Sequence, residues 1–274
     1  MEQPGRNLFA RAQACLAICT PCDKVAAIAA LARDFAAGAL STQSADEPLP
    51  IGAPGRPPRP LLVAPRDLPQ RGLGSAQGRA ALIHAVAHIE FNAINLACDA
   101  VYRFRGMPHA YYADWICVAA DEARHFSLLA ARLSELGYAY GDLDAHDGLW
   151  EMAVKTSDSC LARMALVPRV LEARGLDVTP AMIEKVRGTG DARTVQILEL
   201  ILREEVAHVA AGSRWFAWCC AREQREPEGT FIELVHEFAR GALKGPFNMA
   251  ARLAAGFSVR ELERLELGRR EAAA

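Results

Sequence analysis

Two short runs in this 274-residue chain could do chemistry: Glu122-Ala-Arg-His125 and Glu205-Val-Ala-His208. On a helix, residues three apart share a face, so each run presents one carboxylate and one imidazole side by side. Each pair can hold one metal ion, and two pairs suggest two ions. Their neighbours sharpen the point. At a turn of about 100° per residue, Glu122 shares its face with Tyr111, Trp115, Val118, Phe126, Leu129 and Leu133, and Glu205 shares its own with Leu198, Ile201, Val209, Gly212 and Phe216. A carboxylate on such a stripe loses several kcal/mol of hydration unless a cation offsets it.

Two further glutamates repeat the pattern. Glu90 lies amid Ile83, Val86, Ala87, Ile94, Ala97 and Val101, and Glu172 shares a face with Val154, Leu161, Ala165 and Pro168. Glu172 falls close to an expected helix end at Gly175, and Pro168 should kink the helix before it. Glu90 precedes Glu122 by 32 residues and Glu172 precedes Glu205 by 33, so the chain contains two similar halves. Each half offers one lone Glu and one Glu-x-x-His, which is what a dinuclear site requires. Carboxylates with few imidazoles suit iron first, with manganese or a mixed pair as alternatives, and the lack of Cys on these faces argues against structural zinc. Asp121 and Glu204 point off the stripe toward solvent.

The positioning elements follow from composition. Ala, Leu, Arg and Glu dominate and strand-like alternation is nearly absent, so the fold class is all-α. Long helices are expected over Ser75 to Phe104, Pro108 to Leu136, Leu149 to Arg174 and Asp191 to Glu223, with glycine stops at Gly106, Gly137 and Gly175. A short helix should open at Thr179 and Pro180. Helices of this length suit a large four-helix bundle. The organisation reads as one compact domain: an N-terminal helical segment (1–45), a proline-rich strap (46–74), the bundle (75–224) and a C-terminal helical cap (225–274). The N-terminal segment should be helical over 7–38, with a second start at Thr20 and Pro21. Eight prolines between Pro48 and Pro69 forbid helix there, and Leu61, Leu62, Val63 and Leu68 should pack the strap down. The cap should carry helices near 230–243, 246–254 and 258–267.

Thirty-one basic against 33 acidic residues leave a net charge of −2, which gives no general nucleic-acid footprint. The N-terminus lacks a signal-peptide pattern, and no stretch reads as a membrane span, so the expected compartment is the cytoplasm, with no membrane partner and the eight cysteines reduced.

Glu90, Glu122, His125, Glu172, Glu205 and His208 resemble, position by position, the ligand signature of the ferritin-like di-iron carboxylate superfamily. More narrowly, the chain is similar to the bacterial ferritin-like family called domain of unknown function 455. That resemblance rests on the segments His84 to Glu90, Asp114-Trp115 through Phe126, Leu171 to Pro180, and Gly245-Pro246-Phe247-Asn248. It implies a ferritin-like four-helix bundle holding two metal ions. Relatives with this ligand set include hydroxylases, some of them tRNA-modifying, as well as oxidases, peroxide reductases and iron-storage proteins. The expected function is activation of dioxygen or peroxide to oxidise or hydroxylate a small molecule or modified nucleoside. The alternative is a non-catalytic metal-binding or iron-handling protein.

Other constellations carry less. Cys15, Cys19 and Cys22 have cluster-like spacing but lack the strand barrel that such clusters need. His84 and His88 lie about 120° and 160° round the helix from Glu90, which favours polar packing, or for His88 a bond to the ligand shell, over a separate metal. Tyr111 and Trp115 lie on the metal-facing stripe, as core packing or as the wall of a pocket. Arg124 and Arg169 sit beside ligand helices and could anchor carboxylates.

Overall fold

The computed structural model describes residues 6–44, 46–69, 71–239, 243 and 245–273, with the side chains of 267–273 left aside. Regular structure among them is helical, apart from two isolated bridges. The chain divides into two compact units, Met1–Val154 and Lys155–Ala274. The division falls inside the segment 75–224, so the expected bundle contributes helices to both.

In the first unit, the expected N-terminal helix forms as α1 (Leu8–Ala17) and α2 (Pro21–Ala36). Asn7 caps α1 by accepting from the Ala10 N–H, and Thr20 and Pro21 open α2. The end of α1 is closed by a group the sequence pattern did not flag. Buried Lys24 donates its ammonium to the carbonyls of Cys15 and Leu16 and to Asn95 Oδ1, the last at 2.6 Å. Burial lowers its pKa to about 8.

The strap is non-helical except for one 3-10 turn at Pro65–Asp67. Its fastening differs from expectation. Leu61 and Leu62 are 51% and 42% exposed, and backbone bonds and one arginine do the holding. Gly55 donates to the Leu16 carbonyl so closely that a Cβ would lie 2.3 Å from Ala17 O. Val63 and Leu61 pair with the backbone of Ala145, and Arg56 bonds Asp147 and Asn92. Hydrogen bonds suffice because prolines leave few backbone donors to satisfy.

Helices α3 (Ala76–Arg103) and α4 (His109–Glu135) match expectation within a residue and pack against each other. Ser75 caps α3, and Gly106 and Gly137 adopt the left-handed φ that ends each helix. At 28 residues α3 is in fact long and apolar enough to cross a membrane, contrary to the sequence reading, but it is mostly buried as a core helix. Its buried Asp99 is held by Arg103. A short α5 (Gly148–Lys155) closes this part of the chain.

The expected helix from Leu149 to Arg174 is corrected most. It breaks after α5, restarts at the N-cap Ser159 as α6 (Cys160–Leu166), widens into a π-helical turn (Val167–Glu172) and runs on as α7 (Ala173–Arg187). Ser159 accepts from the Ala162 N–H, which explains the restart. Pro168 removes a helical donor inside the widened turn. Neither Gly175 nor Pro180 ends the helix. The donor missing at Pro180 would have served the Leu176 carbonyl, and Asn248 Nδ2 supplies that bond instead, at 3.1 Å. The Asn248 N–H and the Arg252 guanidinium both bond Asp177, and all of these groups are at least half-buried.

Helix α8 (Ala192–Arg222) begins at the cap Asp191 as expected. The cap forms α9 (Pro227–Phe238), α10 (Met249–Ala254) and α11 (Val259–Ala273). Residues 240–242 of the expected 230–243 helix lie outside the described residues, as do 1–5, 45, 70 and 274 of the expected segments.

Asn248→Ser keeps a capping oxygen for α10 but cannot reach Leu176, so it should cost about 1–3 kcal/mol, the penalty for an orphaned buried carbonyl. In a Pro180→Ala background the restored N–H should remove most of that cost. Urea unfolding of the four variants of this cycle checks both expectations.

Candidate metal centre

The first half-site is built by α3 and α4. Glu90 comes from the middle of α3, and Glu122 and His125 come from one face of α4. All three are buried, at 4%, 1% and 0% exposure. His125 Nδ1 lies 3.2 Å from Glu90 Oε2 and 3.6 Å from Glu122 Oε2. Each of the three offers a ligand atom, and these atoms lie within 4.8 Å of one another. Burial alone would push the His125 imidazolium down, but its bonds to Glu122 and Glu90 and their charges outweigh that and raise its pKa to about 11. The two converging carboxylates thus favour a proton on His125. A metal ion there replaces the proton with a larger charge.

The other sequence candidates on these helices take quieter places. Tyr111 is buried and donates its hydroxyl to the Ala100 carbonyl at 3.3 Å. Trp115 packs edge-on against it, with ring centroids 6.3 Å apart, and its Nε1 has no hydrogen-bond partner among the described residues. Arg124 pairs with Asp121, Nη2 to Oδ1 at 2.9 Å.

His84 and His88 find hydrogen-bond partners within the first unit. His84 Nε2 accepts from the Gly141 N–H at 2.9 Å. His88 Nε2 lies 3.1 Å from the His146 carbonyl and 2.9 Å from Asn92 Nδ2, and Nδ1 lies 2.9 Å from the Tyr140 hydroxyl. Burial depresses the His88 pKa to about 4, which keeps it neutral. The partners Tyr140, Arg56 and Asp147 carried no sequence signal, because the loop and the strap that present them have no periodicity.

The second unit supplies a matching pair. Glu205 and His208 are buried on α8, with His208 Nδ1 3.2 Å from Glu205 Oε1. Both histidines therefore turn the same nitrogen toward a carboxylate. Glu172 is half-buried at the last position of the π-helical turn.

Gly212 fixes how that turn meets α8. A Cβ at Gly212 would lie 2.3 Å from Cβ and Cγ of Pro168, so the proline ring occupies the space that a side chain would fill. Pro168 thus meets Gly212 where the widened turn packs on α8, and Glu172 lies four residues further along that turn. Gly212 was legible only as one member of the apolar face. Its role becomes visible once the proline opposite is known.

The class is now defined: an all-helical protein with a buried Glu/His cluster that could hold a metal. The chain matches the family described as "Protein of unknown function (DUF455)" over residues 17–263 and belongs to it. A protein of Haemophilus influenzae (strain ATCC 51907 / DSM 11121 / KW20 / Rd), described as "Uncharacterized protein", is 47% identical over 214 residues, covering 76% of this chain and 74% of the relative. No solved structure matches.

Gly212→Ala should destabilise the protein by about 1–3 kcal/mol through overpacking against the ring. Pro168→Gly in the same chain should relieve most of that clash. Thermal unfolding of the two variants together and apart tests the fit.

Proposed function

We propose that this protein is a ferritin-like dinuclear metal protein, iron first and manganese or a mixed pair next. In this reading Glu90, Glu122 and His125 act with Glu172, Glu205 and His208 to hold two ions. The function is activation of dioxygen or peroxide to oxidise or hydroxylate an organic small molecule, with modified nucleosides among the candidates. The observation that carries the reading is the buried His125 nitrogen with two carboxylates turned toward it. The similar pair on α8, and the matched spacing of the two halves, support a second ion.

The donor set fits. Carboxylate oxygens and one imidazole nitrogen per ion suit iron or manganese, and six side chains leave positions open unless most carboxylates bridge or chelate. When bound, the ions supply Lewis-acid and redox chemistry toward oxygen. The chain's own part is to neutralise and orient. Glu90 and Glu122 balance cationic charge in a place that water does not reach. Phe126, Val118 and Leu129 keep that place dry and so strengthen each charge interaction within it. Tyr111 and Trp115 stiffen the same face of α4.

Iron-loaded protein should carry close to two ions per chain, and Glu122→Ala and Glu205→Ala should each lose most of both. Elemental analysis decides this, and undiminished loading would exclude these carboxylates as ligands. Anaerobic ferrous protein mixed with oxygen should consume about one oxygen per pair of ions and then stop until electrons are supplied. Continued uptake of added iron would mark a storage protein, and inertness a structural site. Stopped-flow absorbance with an oxygen electrode separates the three.

A further inference from the structure

Arg169 lies two residues into the π-helical turn that ends at Glu172. It is 2% exposed, and its guanidinium carbon lies 4.7, 4.2 and 4.4 Å from the ring centroids of Phe216, Phe231 and Phe257. Its Nη2 donates to Glu261 Oε1 at 2.7 Å, while Nε and Nη1 have no hydrogen-bond partner among the described residues. Aromatic faces attract a cation but do not replace lost hydrogen bonds.

Glu261 is committed as well. Its second oxygen accepts from the Ser258 N–H at 2.8 Å, and Ser258 Oγ accepts from the Glu261 N–H at 3.0 Å. This reciprocal pair is the capping box that starts α11. One carboxylate thus ties the first turn of the last helix to the widened turn 92 residues earlier. A buried ion pair with unmet donors is a poor device for stability, since apolar groups of similar volume often serve as well or better. It does fix direction. A π-helical turn lacks the regular bonding of an α-helix and can relax toward it, which would rotate every side chain beyond the turn.

We infer that Arg169, locked on Glu261 inside the cage of Phe216, Phe231 and Phe257, is a positioning residue that holds the π-helical turn and so fixes the direction in which Glu172, at its end, presents its carboxylate. The inference rests on the metal reading above. It gives the C-terminal cap a task, because α9 and the loop before α11 supply two of the three phenylalanine walls, and α11 supplies the carboxylate that restrains the turn.

The test separates positioning from stability. Arg169→Met with Glu261→Gln removes both buried charges together, and Gln still completes the capping box. This double variant should melt at or above the wild-type temperature by circular dichroism. With Mn(II) as the probe, it should bind one ion as wild type does and the second at least tenfold more weakly. Glu172→Ala should show the same selective loss, and adding it to the double variant should weaken the second ion no further. A stable double variant that holds both ions at wild-type affinity would overturn the positioning role alone. Wild-type protein that binds no Mn(II) or Fe(II) would overturn the metal reading and this role with it. Should the double variant fail to melt cooperatively, the fallback is Arg169→Lys. It keeps the charge but loses the planar guanidinium that reaches Glu261 through Nη2 and stacks in the cage, and it must show the same loss of the second ion for the role to stand.

Discussion

Negative charge inside an apolar helical core is the constraint that organises this protein. A buried carboxylate survives only beside a compensating cation, and the chain answers that demand differently at each place. Asp99 has Arg103, Asp177 has Arg252, and Glu261 has Arg169. Glu90 and Glu122 face the His125 imidazole, whose pKa their bonds and charges raise. Where the other sites have a permanent guanidinium, this one has a group that can release its positive charge in exchange for a metal ion.

The same logic explains how α3 can be so apolar and still belong to a core. Four of its buried polar residues are claimed by a partner from another element. Asn95 meets Lys24 of α2, Asn92 meets Arg56 of the strap, His84 accepts from the backbone at Gly141, and His88 bonds the backbone at His146. These bonds knit the N-terminal helices, the strap and the loop after α4 to one helix. They also fix the rotation of α3, and with it the side from which Glu90 reaches α4.

In the second unit, broken regularity does the positioning. Two prolines stand within one continuous helical path, and both are accommodated by a specific group elsewhere. Gly212 makes room for the ring of Pro168, and Asn248 supplies the hydrogen bond that Pro180 cannot. The helix therefore keeps its course past Glu172 instead of ending there. The segments Leu171 to Pro180 and Gly245 to Asn248, which look unrelated in the sequence, are two sides of this one joint.

The sequence by itself determined the helical class, the limits of α3, α4 and α8, and the placing of Glu90, Glu122, His125, Glu205 and His208 on apolar faces. Each of these follows from local periodicity and capping, which short-range sterics and burial enforce. The sequence misjudged the path from Leu149 to Arg187, because a proline or glycine reads as a stop whenever its missing bond or side chain is assumed to go uncompensated. Only tertiary structure decided otherwise, since the compensation comes from Asn248 and Gly212, 68 and 44 residues away from the prolines they serve. It also decided that the strap is held by Arg56 and backbone bonds instead of its leucines, and that Arg169 meets Glu261. Those pairings join residues whose only shared property is position in space, and no periodicity along the chain can encode that.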